Sequence, residues 1–299
     1  MATSLLTEQT VWLILLAGLL GYLEPGWGAS LQRAVLPLLA LMVVGVGIGQ
    51  SPRALLGQPR DLVQSLPVVA IQLTLLPLVA FGLSRALPVG NLRLGLVVVG
   101  LAPAEVTSAL AALLAKGSAT FALRVLAISL AASTVSTPLW LSLFGTGHGG
   151  LSATNLFVEL LLAIVVPLIA ASLLRVAAPR VANLERVWAA LSAVAVVLLI
   201  FIVAGGLRDL PVDQGLLQLG AALAAFVAVC YLLGFLLGLV LRLPEGERRA
   251  VLFSTGMREF GVAAAVATAA FSTTAAAVAA IYGVMMISTS FWLVNRLRG

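Results

Sequence analysis

Charge is what this sequence has least of. Only 9% of its 299 residues are Asp, Glu, Lys or Arg, against roughly 25% in an ordinary soluble domain. So few charges cannot cover a surface in water, which excludes a soluble globular chain and makes lipid much of its solvent. There is one cysteine, Cys230, inside an apolar run, so no internal disulfide is available. There is one histidine, His148, in the glycine-rich stretch Gly-Thr-Gly-His-Gly-Gly, read as an external loop. Neither a His-Glu-x-x-His zinc motif nor a Gly-x-Ser-x-Gly elbow occurs. An intramembrane enzyme therefore lacks its material, and neither a cofactor nor a confident metal site is expected. The N-terminus shows no basic n-region and no small-residue cleavage site, so its first apolar run is read as a span. Without a Pro- or Ser-rich linker, residues 1–299 read as one membrane domain.

What is there is apolar: 62% of residues are hydrophobic and the mean hydropathy is +1.16. A membrane helix needs about 20 apolar residues. Runs between charged, Gly and Pro punctuation predict ten spans, at 10–23, 30–49, 63–86, 92–116, 118–144, 152–175, 185–206, 215–241, 246–271 and 274–295. The expected class is an all-α integral membrane protein with the lipid bilayer as its main partner. A net charge of +6 would hint at nucleic acid in a soluble chain, but here the basic residues sit singly in short loops. No nucleic-acid partner is expected; the charges read as an orientation signal.

With the N-terminus inside, one side holds Arg53, Arg60, Lys116, Arg175, Arg180, Arg186, Arg242, Arg248, Arg249, Arg296 and Arg298, and the other only Arg33, Arg85, Arg93 and Arg208. Both termini are thus expected in the cytoplasm of a multi-pass cell-membrane protein. Trp12, Trp27, Trp140, Trp188 and Trp292 fall near span ends, as interfacial anchors do.

Ten spans divide into two fives, at approximately 1–148 and 149–299, and an odd number per half forces the halves to be inverted. Secondary transporters use that plan, with sites at interrupted helices near the midplane. The fourth span carries Pro103 within Gly-Leu-Ala-Pro-Ala-Glu-Val-Thr-Ser (Gly100 to Ser108), and the ninth reads Ser-Thr-Gly-Met-Arg-Glu-Phe-Gly (Ser254 to Gly261). A shift of 154 positions lays Glu105 on Glu259. Acids are rare in this chain, which makes that coincidence informative.

Leu101–Gly117 resembles the fourth-helix crossover of the bile acid:sodium symporter family, within the bile/arsenite/riboflavin transporter superfamily. Gly256–Ala267 resembles its ninth-helix signature, and Gln72 in Ile-Gln-Leu-Thr-Leu-Leu-Pro its third-helix glutamine. The resemblance implies a panel domain (spans one, two, six and seven) and a core domain in which broken helices four and nine cross. It also implies two sodium ions behind the crossing and alternating-access transport of bile acids or other organic anions.

The sequence departs from that pattern where sodium would bind. Ser254 stands where coupled members have an acid, Ala109 where they have Asn, Ala122 and Leu126 at two helix-five ligands, and Arg258-Glu259 in place of Gln-Asn. Gln72, Ser108 and the carbonyls around Thr255 and Met257 remain, as a vestigial sodium site. The crossover cysteine of arsenite carriers is absent.

Two acids and two bases fall within the expected core: Glu105, Glu259, Arg124 and Arg258. Each costs roughly 2.5–3.5 kcal/mol at a bilayer centre, so equal numbers suggest pairing. In one reading Arg258, and Arg124 likewise, replaces the ions, giving a sodium-independent facilitator or a proton-coupled carrier or exporter of a small organic acid. In another, Glu105 or Glu259 carries a proton. Structural alternatives stand beside both. The glutamates suit the first turn of each half-helix, an Arg124–Glu pair would glue helices, and Gln72 would bond between helices. Thr107 and Ser108 would satisfy backbone at the break. The exposed N–H groups of a broken helix suit an anion. The candidate substrate and ion contacts are therefore Gln72, Glu105, Thr107, Ser108, Arg124, Ser254, Thr255, Met257, Arg258 and Glu259, with sodium or a proton as coupling ion. Paired broken helices favour a carrier over a channel. Substrate identity, direction and monomer versus homodimer stay open.

Overall fold

The computed structural model describes residues 13, 16–48, 59–88, 90–144, 153–209 and 214–298. Trp12, Arg53 and His148 lie outside them, as does part of the expected first span, and the side chains of Arg60 and Arg186 are likewise not described. Among the described residues every regular element is helical, and one isolated β-bridge is present.

The helices in chain order are α1 (16–23), α2 (Pro25–Ser30), α3 (Val35–Ile48), α4 (Pro59–Ser84), α5 (Asn91–Leu101), α6 (Ser108–Leu114), α7 (Ala119–Leu143) and α8 (Ala153–Leu160, continuing through a π-turn into Val166–Ala177). Then follow a single helical turn at Pro179–Ala182, α9 (Glu185–Ala204), α10 (Gln214–Val240), α11 (Glu245–Gly256), α12 (Phe260–Ala270) and α13 (Thr273–Arg298). Among the described residues, six stretches are long and apolar enough to cross a membrane: Leu62–Ser84, Ala119–Leu143, Thr154–Ala177, Ala190–Arg208, Gln214–Val240 and Thr273–Arg298. The stretches expected as spans four and nine are each two helices, α5 with α6 and α11 with α12. The π-turn at Leu161–Val165 has no counterpart among the expected features.

Local chemistry explains the interruptions and their absence elsewhere. Pro67 and Pro77 sit inside α4 and Pro138 inside α7 without ending either helix; the Leu73 carbonyl that Pro77 frees accepts instead from the Trp140 indole. At Ala102–Pro103 the chain does leave the helix, with Ala102 extended at φ −62°, ψ 148°; the residue before a proline is pushed out of the helical region. Ser118 caps α7 by accepting from the Phe121 amide at 3.2 Å. Ser272 does the same for α13, accepting from the Ala275 amide at 3.1 Å, in the turn expected between spans nine and ten.

Two packed groups emerge. In one, α3 lies against both α8 and α9, with α2 beside α9; in the other, α4, α5, α6, α7, α10, α11, α12 and α13 pack around the breaks. They meet where α9 contacts α12 and α13, and where α7 contacts α8. Close approach depends on glycine at Gly206, where a Cβ would lie 2.2 Å from the Thr273 carbonyl oxygen. The exterior is apolar: Val63, Leu78, Ile169, Leu173, Leu232, Phe235 and Val240 all stand exposed, as lipid-facing side chains do. Trp27 and Trp292 are also exposed. Trp140 instead packs inward, its indole donating to the Leu73 carbonyl at 2.8 Å and stacking on Phe144.

The two ends differ in charge. At one, Arg249 donates to the carbonyls of Ala115 (2.5 Å) and Leu297 (3.3 Å), Arg298 to that of Leu114 (3.2 Å), and the Ser118 amide to that of Gly246 (2.8 Å). At the other, Ser272 bonds Asn91 at 3.0 Å and Arg93 bonds the Leu87 carbonyl at 2.7 Å. Helix α13, 26 residues long and so about 39 Å, separates them.

Candidate functional site

The two breaks meet backbone to backbone. Ala104 and Arg258 form an antiparallel bridge. The Glu105 amide donates to the Met257 carbonyl at 3.0 Å, and the Glu259 amide to the Pro103 carbonyl at 2.9 Å. Buried backbone groups that leave a helix must find partners, and here each break supplies the other's. The two remaining bridge amides are held by hydroxyls from flanking helices. Ser129 Oγ of α7 accepts from the Ala104 amide at 3.1 Å, and Tyr282 Oη of α13 accepts from the Arg258 amide at 3.1 Å. Neither residue was expected from the sequence. The one signal they carry is a polar side chain within an apolar run at matching places: the 154-residue offset takes position 129 to 283, next to Tyr282.

Arg258 is wholly buried. One guanidinium nitrogen donates to the Ala102 carbonyl, and the other reaches Gln72 Oε1 at 3.5 Å. Gln72 in turn donates its amide nitrogen to Thr255 Oγ1 at 2.9 Å. A planar cation with several donors is suited to gathering carbonyl oxygens from separate chain segments. Here it ties α4 and the first break to the second.

The glutamates are held by backbone amides rather than by Arg258, a choice that equal charge counts leave open. Both are almost fully buried, and they converge on the same half-helix terminus. Glu259 Oε2 accepts from the Val106 amide at 3.1 Å. Glu105 Oε1 accepts from the amide and hydroxyl of Thr107, each at 3.5 Å. The two carboxyl groups thus sit on consecutive backbone amides, those of Val106 and Thr107. The physical reason lies in the break: free N–H groups at a broken helix solvate a carboxyl group, while the two terminal guanidinium nitrogens of Arg258 face Gln72 and Ala102.

The other candidates divide. Thr255 and Met257 join the crossing, one through its hydroxyl and the other through its carbonyl. Ser254 is buried and turns back on the Val251 carbonyl at 3.5 Å. Ser108 is buried with no hydrogen-bond partner for its hydroxyl, and Thr107 is exposed. Arg124 lies buried on α7. Cys230 is fully buried on α10.

Apolar helices that expose their hydrophobic faces, with two interrupted ones joined through their backbones, define a multi-pass membrane protein of the type built for transport. The family model described as the Sodium Bile acid symporter family matches residues 36–213. A protein of Bacillus subtilis (strain 168), described as the uncharacterized sodium-dependent transporter YocS, is 29% identical over 276 residues, covering 92% of this chain and 85% of that protein. The chain belongs to the Sodium Bile acid symporter family. The matched stretch includes the first break and stops short of the second.

Proposed function

We propose that the chain is a secondary active carrier of an organic anion that works by alternating access at the crossing of its two breaks. In this reading ten transmembrane helices form two inverted repeats, and the group around α3, α8 and α9 is the panel that moves against a core. The arginine-rich end, with Arg249 and Arg298 closing on α6, faces the cytoplasm of the cell membrane. The half-helix N–H groups at Val106 and Thr107, next to the exposed Thr107 side chain, would meet the anion.

The observation that carries the coupling part of the reading is the guanidinium of Arg258. It engages Gln72 Oε1 and the Ala102 carbonyl, oxygens that a bound cation would need, and it brings the same single positive charge. Transport here is accordingly independent of sodium, unlike what the name of the Bacillus subtilis relative says of that protein. The reading with sodium as co-substrate rests on that name and on family membership.

A thermal-shift screen of organic anions, run in sodium and in potassium, tests both parts, since a ligand that binds the folded state raises its melting temperature. The expected result is stabilisation by an anion to the same extent in either salt. Stabilisation only in sodium, or uptake into vesicles that tracks an inward sodium gradient, would overturn sodium independence.

A further inference from the structure

We propose that Glu105 and Glu259 form a proton site, a carboxyl–carboxylate pair that holds one exchangeable proton across the crossing. The proposal deepens the carrier reading above, and rests on it for its role, by naming the ion that this crossing binds.

The four carboxyl oxygens are unequally partnered. Glu259 Oε2 accepts from the Val106 amide at 3.1 Å, and Glu105 Oε1 from Thr107 at 3.5 Å. Glu259 Oε1 lies beside Gly261 in the first turn of α12. Glu105 Oε2 is buried and has no hydrogen-bond donor among the described residues. Its carboxyl group nonetheless sits on the Thr107 amide, next to the Val106 amide that holds Glu259. A buried, donorless oxygen beside a second carboxyl group is incomplete as a carboxylate. It becomes complete when it carries a proton and donates it to its neighbour. The balance is that of simple protonation: hydronium gives a proton to one carboxylate and leaves water, and the new O–H bonds the remaining carboxylate.

A metal ion fits this place poorly. Hard cations need several oxygens, and here a backbone amide already uses one oxygen of each carboxyl group, at the positive end of a half-helix. A proton needs one lone pair. The ionisable groups on the surrounding elements are few. Arg258, in the same bridge, donates to Ala102 and Gln72. Tyr282 of α13 accepts from the Arg258 amide. On α10, Tyr231 is paired with Ser290 at 2.6 Å and Cys230 lies buried next to it. Arg124 is buried on α7. From α3 and α9 the groups nearest Gly261 are Met42 and Leu199, both apolar.

The location gives the proton a consequence. The pair joins the first break to the second, so losing the proton sets two negative charges against each other at the joint itself. The carboxylates also occupy the Val106 and Thr107 amides, the donors an incoming anion would use. Protonation weakens that hold, so proton and anion favour each other's binding.

The test uses the whole chain labelled with 13C-glutamate, followed by difference infrared spectroscopy over a pH titration with no anion added. The expected result is a protonated glutamate carbonyl band that shifts in deuterium oxide and disappears in both E105Q and E259Q, because either substitution removes the partner that shares the proton. Absence of the band from the unsubstituted protein overturns the proposal, as does its survival in either variant or its indifference to deuterium. Should the variants fail to fold, the band and its deuterium shift in the unsubstituted protein decide alone. Since no anion is involved, a failed band leaves the carrier reading standing, and a failed anion screen leaves the proton site standing.

Discussion

The two breaks solve one problem with unequal means. Between α5 and α6 the chain is out of helix for six residues, 102–107, and between α11 and α12 for three, 257–259. Each gives one carbonyl and one amide to the other, and each has its remaining bridge amide held by a hydroxyl, Ser129 for the first and Tyr282 for the second. The longer break has an extra carbonyl to satisfy, that of Ala102, and the shorter one supplies the side chain that reaches it, Arg258. The crossing is therefore two-fold in its backbone and one-sided in its charge. The two breaks share a backbone skeleton while one of them carries the cation.

The sharpest way to break this comparison is Arg258→Ala. Removing the guanidinium strands two buried acceptors, the Ala102 carbonyl and Gln72 Oε1, and we expect a loss of about 2–4 kcal/mol, read as thermal unfolding of the detergent-solubilised protein. A loss below about 1 kcal/mol would mean the arginine does not complete the joint.

Next come the glycines that flank the breaks. A Cβ at Gly100 would lie 2.2 Å from the Ala80 Cβ, and one at Gly256 2.3 Å from the Tyr231 ring. Gly100→Ala and Gly256→Ala should each cost about 1–3 kcal/mol by overpacking. Gly82→Ala, with nothing within 4 Å, should be neutral or slightly stabilising in the same assay.

The matched hydroxyls provide the symmetry test. Ser129→Ala and Tyr282→Phe each orphan one bridge amide and should lower stability by similar amounts, about 1–2 kcal/mol. A large inequality between them would show that the halves contribute differently to the joint. The smallest effect belongs to Arg298→Ala, an exposed contact on the Leu114 carbonyl, expected at or under about 0.5 kcal/mol in melting temperature measurements.

Much of the site is legible in the residues alone. Pro103 and the Gly-Met-Arg-Glu segment interrupt apolar runs, and helix breaks do lie there. The 154-residue offset lays Glu105 on Glu259, and the bridge pairs Ala104 with Arg258 at the same offset. Charge counting stops short. Two acids and two bases suggest pairing without saying who pairs with whom; the described contacts of Arg258 go to a carbonyl and a side-chain amide, and each acid accepts from a backbone amide. Charge totals carry no information about which donors a break exposes. Ser129 and Tyr282 escape notice because one hydroxyl in an apolar helix has no periodic pattern to announce it.

The scarcity of charge and the length of the apolar runs determine by themselves that this chain lives in lipid, because a surface of that composition cannot be hydrated. They also place the interruptions, since proline and polar clusters disrupt helices through local sterics and hydrogen bonding. Which group answers which is decided only by the tertiary structure. Partners such as Arg258 and Ala102 are 156 residues apart, and a donor commits to an acceptor only once packing has excluded water and brought both within reach.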